Sequence, residues 1–550
     1  MSRRTSSPSS ASAAPAPAAK SPGAPCETEL KLALPGADPA RIGDQLATLP
    51  LLASLPAHQQ RLVNTYFDTP GQSLHRARAA LRIRQLSAEG APVRWLQTLK
   101  TSDGASGGLS QRGEWETPLA GDALDRAALQ AAPPWAALDA DGALWPQLAP
   151  AFVTEATRTL RELTSADGSR IELVLDIGRV RAPAPPADGA AADEPSELTV
   201  DLCELELELI DGQADALFAL ADDIAQHIAV LPATLSKAER GWRLLGGTSH
   251  APRRAKSPAL TRDMPVTAAA QAVLGEALGQ FLDNLGGILQ ADGPELVHQA
   301  RVGWRRWRST LWLFKPLLAA HPLPGGAALQ PLLKALGSTR DLDVAGLESL
   351  PLWSDAYIDG DAERAEQWQA METAVMAERR IRRAGLLAVL QAPATGRALL
   401  QLERWLHALP QACADTEGAS APLAKWARER TQRLHRRLKH EVREMESPDA
   451  TDESDVTEAP DAPTEAAAAS EHQHRVRLLA KRTRYVLQGL SSVLPERRTR
   501  RWTEQASALQ TRIGAARDLM LLATLLEPLG VDRAILGFLR GVAAGRLADG

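Results

Sequence analysis

The chain has only three cysteines in 550 residues, Cys26, Cys203 and Cys413, widely spaced and odd in number. That excludes a disulfide framework and a thiolate zinc site, and it fits a reducing compartment. No stretch reaches the ~18 uncharged apolar residues that a membrane span needs. The opening, MSRRTSSPSSASAAPAPAAK, carries basic residues with no apolar segment behind them, so no secretory signal is expected. Neither sign of charge dominates, because 62 Lys and Arg face 67 Asp and Glu for a formal net charge of -5. The expectation is a soluble cytoplasmic protein whose charges are segregated locally.

What is present divides the chain. Apolar content of 44% is ordinary for globular domains, and the length is too great for one core. Residues 1–25 are rich in Ser, Ala and Pro and read as a disordered tail. Residues 26–247 alternate with period two in ETELKL, ALRIRQL, VRWLQTLK, RGEWE, IELVLDI and LCELELELI, which predicts short strands. Asp215 to Val230 reads as an amphipathic helix, and Pro183 to Pro195 as a long polar loop. Residues 248–264 are a candidate linker, and residues 265–547 form an all-helical domain rich in Ala, Leu and Arg. Inside it, residues 446–471 hold many acids, no Lys or Arg, and several prolines, and read as a disordered acidic insertion.

Alternation places Glu27, Glu29 and Lys31 on one face of a strand and Leu30 and Leu32 on the other. The same rule pairs Arg82 with Arg84, Arg112 with Glu114 and Glu116, Glu172 with Asp176, and Glu204 with Glu206 and Glu208. An antiparallel sheet with one solvated face accounts for alternation, yet such a face usually mixes Ser, Thr, Gln and Lys. Here some strands carry almost only carboxylates and others almost only cations, an arrangement that repels itself without counter-ions. A sheet closed into a barrel with the charges inside gives both sets a role. Carboxylates suit a hard divalent cation, and Lys and Arg suit a chain of phosphates.

In order along the chain, ETELK at Glu27 to Lys31, NTYFDT at Asn64 to Thr69, LRIR at Leu81 to Arg84, TLK ending at Lys100, ELVLDIG at Glu172 to Gly178, ELELEL at Glu204 to Leu209 and LSKAERG at Leu235 to Gly241 resemble the CYTH superfamily, the triphosphate tunnel metalloenzymes. The resemblance implies an eight-stranded antiparallel tunnel in which Glu27, Glu29, Asp176, Glu204 and Glu206 coordinate Mg²⁺ or Mn²⁺. It also implies that Lys31, Arg82, Arg84, Lys100, Arg158 and Lys237 hold the phosphates, with Arg112 and Arg240 as further candidates. Glu27, Glu29 and Lys31 are then the catalytic candidates, one carboxylate orienting the attacking water. Arg161 competes with Arg158 for the inward position, since TEATRTLREL shows no sharp register. The family's chemistry ranges over inorganic, thiamine and RNA triphosphatases and adenylate cyclases. GGLSQRGEWE and the fused helical domain look most like the bacterial inorganic triphosphatases.

The helical half contains a repeat. His298, Arg301, Arg305, Arg306 and Arg308 recur at identical spacing as His474, Arg477, Lys481, Arg482 and Arg484, each followed by Arg-Asp-Leu, at Arg340 and at Arg517. Spacings of three and four put these cations on one helical stripe. Like charges so placed destabilise a helix unless an anion or an acid elsewhere in the bundle neutralises them. Each histidine is open to two readings, a ligand or a hydrogen-bonded core residue. The signature resembles the CHAD domain, a two-halved helical module that implies binding of long-chain polyphosphate by His298, Arg301, Arg305, Arg308, Arg340, His474, Arg477, Lys481, Arg484 and Arg517. Nucleic acid ranks last as a partner, because the basic helices show little aromatic interleaving for base stacking. The expectation is thus a multidomain α+β hydrolase of inorganic triphosphate, cytoplasmic and associated with polyphosphate granules. Its rivals are a polyphosphate-binding protein with little turnover and another chemistry of the same superfamily.

Overall fold

The computed structural model describes residues 26–102, 107–184, 197–446 and 465–548. The tail at residues 1–25, most of the Pro183 to Pro195 loop and residues 447–464 of the acidic stretch lie outside the described residues.

Eight strands build the first half: β1 (Cys26–Ala33), β2 (His58–Asp68), β3 (Ala79–Ser87), β4 (Arg94–Ser102), β5 (Leu109–Leu119), β6 (Ala149–Thr164), β7 (Arg170–Pro183) and β8 (Glu197–Asp211). They run antiparallel in the order β5-β4-β3-β2-β6-β7-β8-β1, and β5 also pairs with β1, so the sheet closes into a barrel. The leucines predicted to share a face point outward. Leu30, Leu32, Ile171, Leu173, Leu175, Leu205 and Leu207 form a buried core beneath helix α5 (Asp215–Ala225) and the short α1 (Ile42–Ala47). A second outer core joins Leu81 and Leu99 of the wall to Leu74, Leu129 and Trp135 of the short helices α2 (Ser73–Arg76), α3 (Arg126–Gln130) and α4 (Pro133–Leu138). The barrel's hydrophobic core therefore lies outside its wall, which leaves the interior to the charged side chains.

Helix α5 ends at Ala225, five residues before the Val230 boundary expected from the sequence. Leu231 and Pro232 pair with Ala33 and Leu32 as a ninth, two-residue strand, β9. That pairing needs extended chain, so the helix gives way before it.

Helix α6 (Lys237–Leu245) leads to the helical domain: α7 (Val266–Gln290), α8 (Pro294–Phe314), α9 (Gln330–Val344), α10 (Ser354–Ile358), α11 (Ala362–Leu390), α12 (Pro393–Ala412), α13 (Leu423–Glu446), α14 (Glu465–Gly489), α15 (Glu496–Leu526) and α16 (Arg533–Ala548). The two helices bearing the repeated stripe, α8 and α14, pack together, with the Arg482 guanidinium 4.6 Å from the Trp312 ring centre. Residues 249–260, in the candidate linker, are pinned to the helices. Arg253 holds Asp283 and Glu276 at 2.7 Å each, and the Lys256 carbonyl accepts from Arg306 at 3.1 Å.

Helix α12 belongs to both halves. Leu400 sits in the barrel's outer core, whereas Leu399, Leu402, Trp405, Leu406 and Leu409 sit in the core of the helical domain. Gly396 lets this helix lie on the Val230 carbonyl, where a Cβ would collide. Arg397 and Arg404 pair with Asp222 and Asp215 of α5 at 3.0 and 2.5 Å. Among the described residues, no helix is long and apolar enough to cross a membrane.

Candidate active site

The barrel interior is a cavity of about 850 Å³ lined by inward residues of all eight strands. Sheet order sorts its charges into two walls. Neighbours β7, β8 and β1 present Glu172 and Asp176, then Glu204, Glu206 and Glu208, then Glu27 and Glu29. Across from them, β4 and β3 present Lys100, Arg82 and Arg84, while β6 sets Arg158 beside Asp176 of β7 and β5 adds Arg112, Glu114 and Glu116.

On the acidic wall like charges stand directly opposite one another: Asp176 with Glu204, Glu172 with Glu208, and Glu29 with Glu208. Cross-strand carboxylate pairs are destabilising unless cations neutralise them. Asp176, Glu204 and Glu206 bring carboxylate oxygens within 4.8 Å of one another, and Asp176 and Glu204 are fully buried. This donor set, all hard oxygen, fits Mg²⁺ or Mn²⁺. Lys237 stands among the three, its Nζ 2.8 Å from Asp176, 2.5 Å from Glu204 and 2.8 Å from Glu206. It opens helix α6, where the helix dipole disfavours a cation, so the carboxylates rather than the backbone hold it. Burial lowers its proton affinity, but Asp176, Glu204 and Glu206 more than reverse this and raise its pKa. Lys31 bonds Glu206, and Arg240 donates to Glu204 at 2.8 Å.

Glu27 and Glu29 lie apart from that cluster. Glu27 accepts from Lys100 at 2.6 Å and from Arg112 at 2.9 Å, and Glu29 accepts from Arg112 at 2.5 Å and Ser110 at 3.3 Å. Burial raises the Glu27 carboxyl, yet Lys100 and Arg112 together hold it well below the usual carboxylate range. Asp176 is pulled down to about 2, where Lys237 and Arg158 outweigh burial. Arg158 is the inward arginine of β6, bidentate to Asp176 at 2.9 and 2.7 Å, and Arg161 is buried on the opposite face.

The basic wall is crowded. Burial, then Arg82 and Arg158, lowers the Arg84 pKa to about 10. Nε and one terminal nitrogen of Arg82 are buried without a hydrogen-bond partner among the described residues. Buried guanidinium groups so placed are receptors for an anion. Asn64 orients Arg84, its Oδ1 accepting from Nε at 2.9 Å while its Nδ2 donates to Thr154 at 2.9 Å. Sequence reading gave Asn64 no role, although it opens the NTYFDT motif and shares the inward face with Tyr66.

A second cavity, of 540 Å³, lies in the helical domain, lined by Arg301, Arg305, Arg308, Lys334, Trp304, Gln401 and Leu402. Among the described residues, Arg305 and Arg308 make no ion pair, and Arg301 has one at 4.0 Å to Asp341. Burial and then Arg305 lower the Arg301 pKa, while burial and then Arg340 lower that of His298. Arg340 pairs with Glu348 at 2.9 Å. Of the second copy, His474, Arg477, Lys481 and Arg484 lie half-buried on α14, with Arg484 4.9 Å from the Tyr485 ring centre. Arg517 lies on α15 at a position whose side chain is outside the described residues.

Both architectures have counterparts among known families: the CYTH domain matches residues 26–242 and the CHAD domain residues 272–527. The chain joins a CYTH domain to a CHAD domain. An inorganic triphosphatase of Haemophilus influenzae is 29% identical over 220 residues, covering 40% of this CYTH–CHAD chain and 54% of the relative. The match thus spans about half the length of that protein. Among solved structures, the CHAD domain of the plant Ricinus communis is 27% identical, covers 54% of this chain and 92% of its own, and has a TM-score of 0.43. A putative adenylyl cyclase from Hippeastrum, described as having a dominant triphosphatase activity, is 19% identical, covers 39% and 95%, and has a TM-score of 0.24.

Proposed function

We propose that the CYTH domain hydrolyses inorganic triphosphate to diphosphate and phosphate with Mg²⁺ or Mn²⁺, and that the CHAD domain binds long-chain polyphosphate. One observation carries the first half of this reading: a wall of directly opposed carboxylates faces a wall of crowded guanidinium groups across one cavity. Membership of the CYTH family and the triphosphatase relative support it.

Asp176, Glu204 and Glu206 would hold the metal, which supplies charge neutralisation for the phosphate oxygens. Arg82, Arg84, Arg158 and Lys100 grip the chain of phosphates and fix its line of attack. Lys31 and Lys237, each tied to Glu206, move from carboxylate to phosphate as the anion enters. Glu27 and Glu29 orient the attacking water. While Lys100 and Arg112 grip it, Glu27 is a weak base. A triphosphate that draws those cations to itself restores its affinity for the proton of the water. In the helical domain, Arg301, Arg305 and Arg308, with the matching residues of α14, offer positive charge to a polymer of phosphates. On this reading the protein is cytoplasmic and associated with polyphosphate granules.

The test is phosphate release from inorganic triphosphate, thiamine triphosphate, ATP and long-chain polyphosphate, each with Mg²⁺, Mn²⁺ or chelator. Metal-dependent preference for triphosphate is the expected result. Inactivity on all four would replace this reading with that of a binding protein.

A further inference from the structure

The barrel closes at the seam between β1 and β5, and that seam is short. It has five residue pairs, Cys26 to Leu30 against Leu109 to Gly113, where β7 and β8 share fourteen. Just past its last pair, the Lys31 amide donates to the Gly108 carbonyl at 3.1 Å, and the Gly108 amide donates to Glu403 Oε1 at 2.5 Å. Glu403 belongs to α12, 295 residues further along the chain, and is 4% exposed. It lies on the stripe Gly396, Leu400, Glu403, His407 with which this helix meets the barrel. Gly107 takes a φ of +76°, and a Cβ there would strike the Glu403 carboxyl, so the turn is shaped to admit that side chain.

We propose that Glu403 is a positioning residue for the tunnel: by holding Gly108, it fastens the β1–β5 seam and keeps Lys31 and Arg112 in register. The helical domain thereby completes the barrel. Both residues it steadies reach the cavity interior, Lys31 toward Glu206 and Arg112 toward Glu27 and Glu29. The other face of α12 places Gln401 and Leu402 in the wall of the basic cavity, so one helix touches the tunnel's seam and lines the other site.

This inference rests on the tunnel's being a triphosphatase site, and the test separates the two. In the full-length protein, Glu403→Ala should lower kcat on triphosphate with Mg²⁺ by about 10-fold, as loss of a supporting group does. Glu403→Gln, whose amide oxygen accepts the same bond, should stay within about twofold of the parent. Hydrogen exchange at the Gly108 amide should quicken in the alanine variant alone, with β7 and β8 unchanged in both. If the alanine variant does not fold, Glu403→Asp withdraws the acceptor by one methylene and tests the same bond. Parent-like kcat and exchange in the alanine or aspartate variant would overturn the proposal, as would equal impairment of the glutamine variant. A parent protein inactive on triphosphate would remove the function reading instead, and the exchange comparison would still decide whether Glu403 holds the seam.

Discussion

The two basic sites of this molecule hold their charge in opposite ways. In the tunnel the cations beside the carboxylates are already matched, whereas Arg82 and Arg84 on β3 stand crowded together. Lys31, Lys237, Arg112 and Arg158 lose proton affinity through burial but gain more from Glu27, Glu29, Asp176, Glu204 and Glu206. In the helical cavity, burial and neighbouring cations leave Arg301 and His298 with lowered pKa values. A matched site accepts an anion only if a cation comes with it to satisfy the carboxylates left behind. An unmatched site takes a bare polyanion and is neutralised by it. On the proposed reading this is the difference between a metal-bound substrate held once per turnover and a polymer held for long periods.

Breaking the matched site should have the largest effect. Glu27→Gln combined with Glu29→Gln should lower metal-dependent phosphate release on the order of 10²–10³-fold or more, the range seen when a transition-state contact is lost. Polyphosphate affinity should stay at the parent value. Loss of both functions together would undo the separation into two sites.

A buried acid outside both sites gives the next largest effect. Burial, with help from Asp283, pushes the Glu403 carboxyl up to about 8. The folded protein keeps this proton where the unfolded chain, with a carboxyl pKa of about 4.3, has released it. The resulting stabilisation is fully present below that pH and is lost as pH climbs through 8, a change on the order of a few kcal/mol. Glu403→Gln has no proton to lose. Its melting temperature relative to the parent should therefore rise between pH 5 and 8.5, and a constant difference would show the carboxyl to be unshifted.

The cations of the helical domain are probed by salt. Replacing Arg301, Arg305, Arg477 and Lys481 with Ala should weaken long-chain polyphosphate binding and flatten its log-log salt dependence by roughly 0.7 per cation, as for other single-stranded phosphate polymers. Triphosphate turnover should hold. Unchanged polymer affinity would remove the basis for the assignment. Smallest of all, Arg404→Ala deletes an ion pair whose partners are about half exposed, and should shift stability by roughly 0.5 kcal/mol or less in thermal melts.

Much of this was legible in the sequence because strand geometry is rigid: Glu27, Glu29, Arg82, Arg84, Asp176 and Glu206 share the interior as period-two alternation requires. The same parity decides between Arg158 and Arg161 once the register of β6 is known, and register depends on partner strands that a single segment does not reveal. The sorting into an acidic and a basic wall was not readable, because it follows from sheet order. Lys237, assigned to phosphate by motif, rests among carboxylates because a buried ammonium takes the nearest negative charge. Glu403 gave no signal at all. A lone Glu on an amphipathic helix looks solvent-facing until the barrel is laid against it.

Helix α12 gives one face to each hydrophobic core, and this has a calorimetric consequence. Neither core can melt without uncovering leucines of the other, such as Leu231 and Leu400. Barrel and bundle should therefore take up heat in one cooperative transition, despite being separate families joined in one chain.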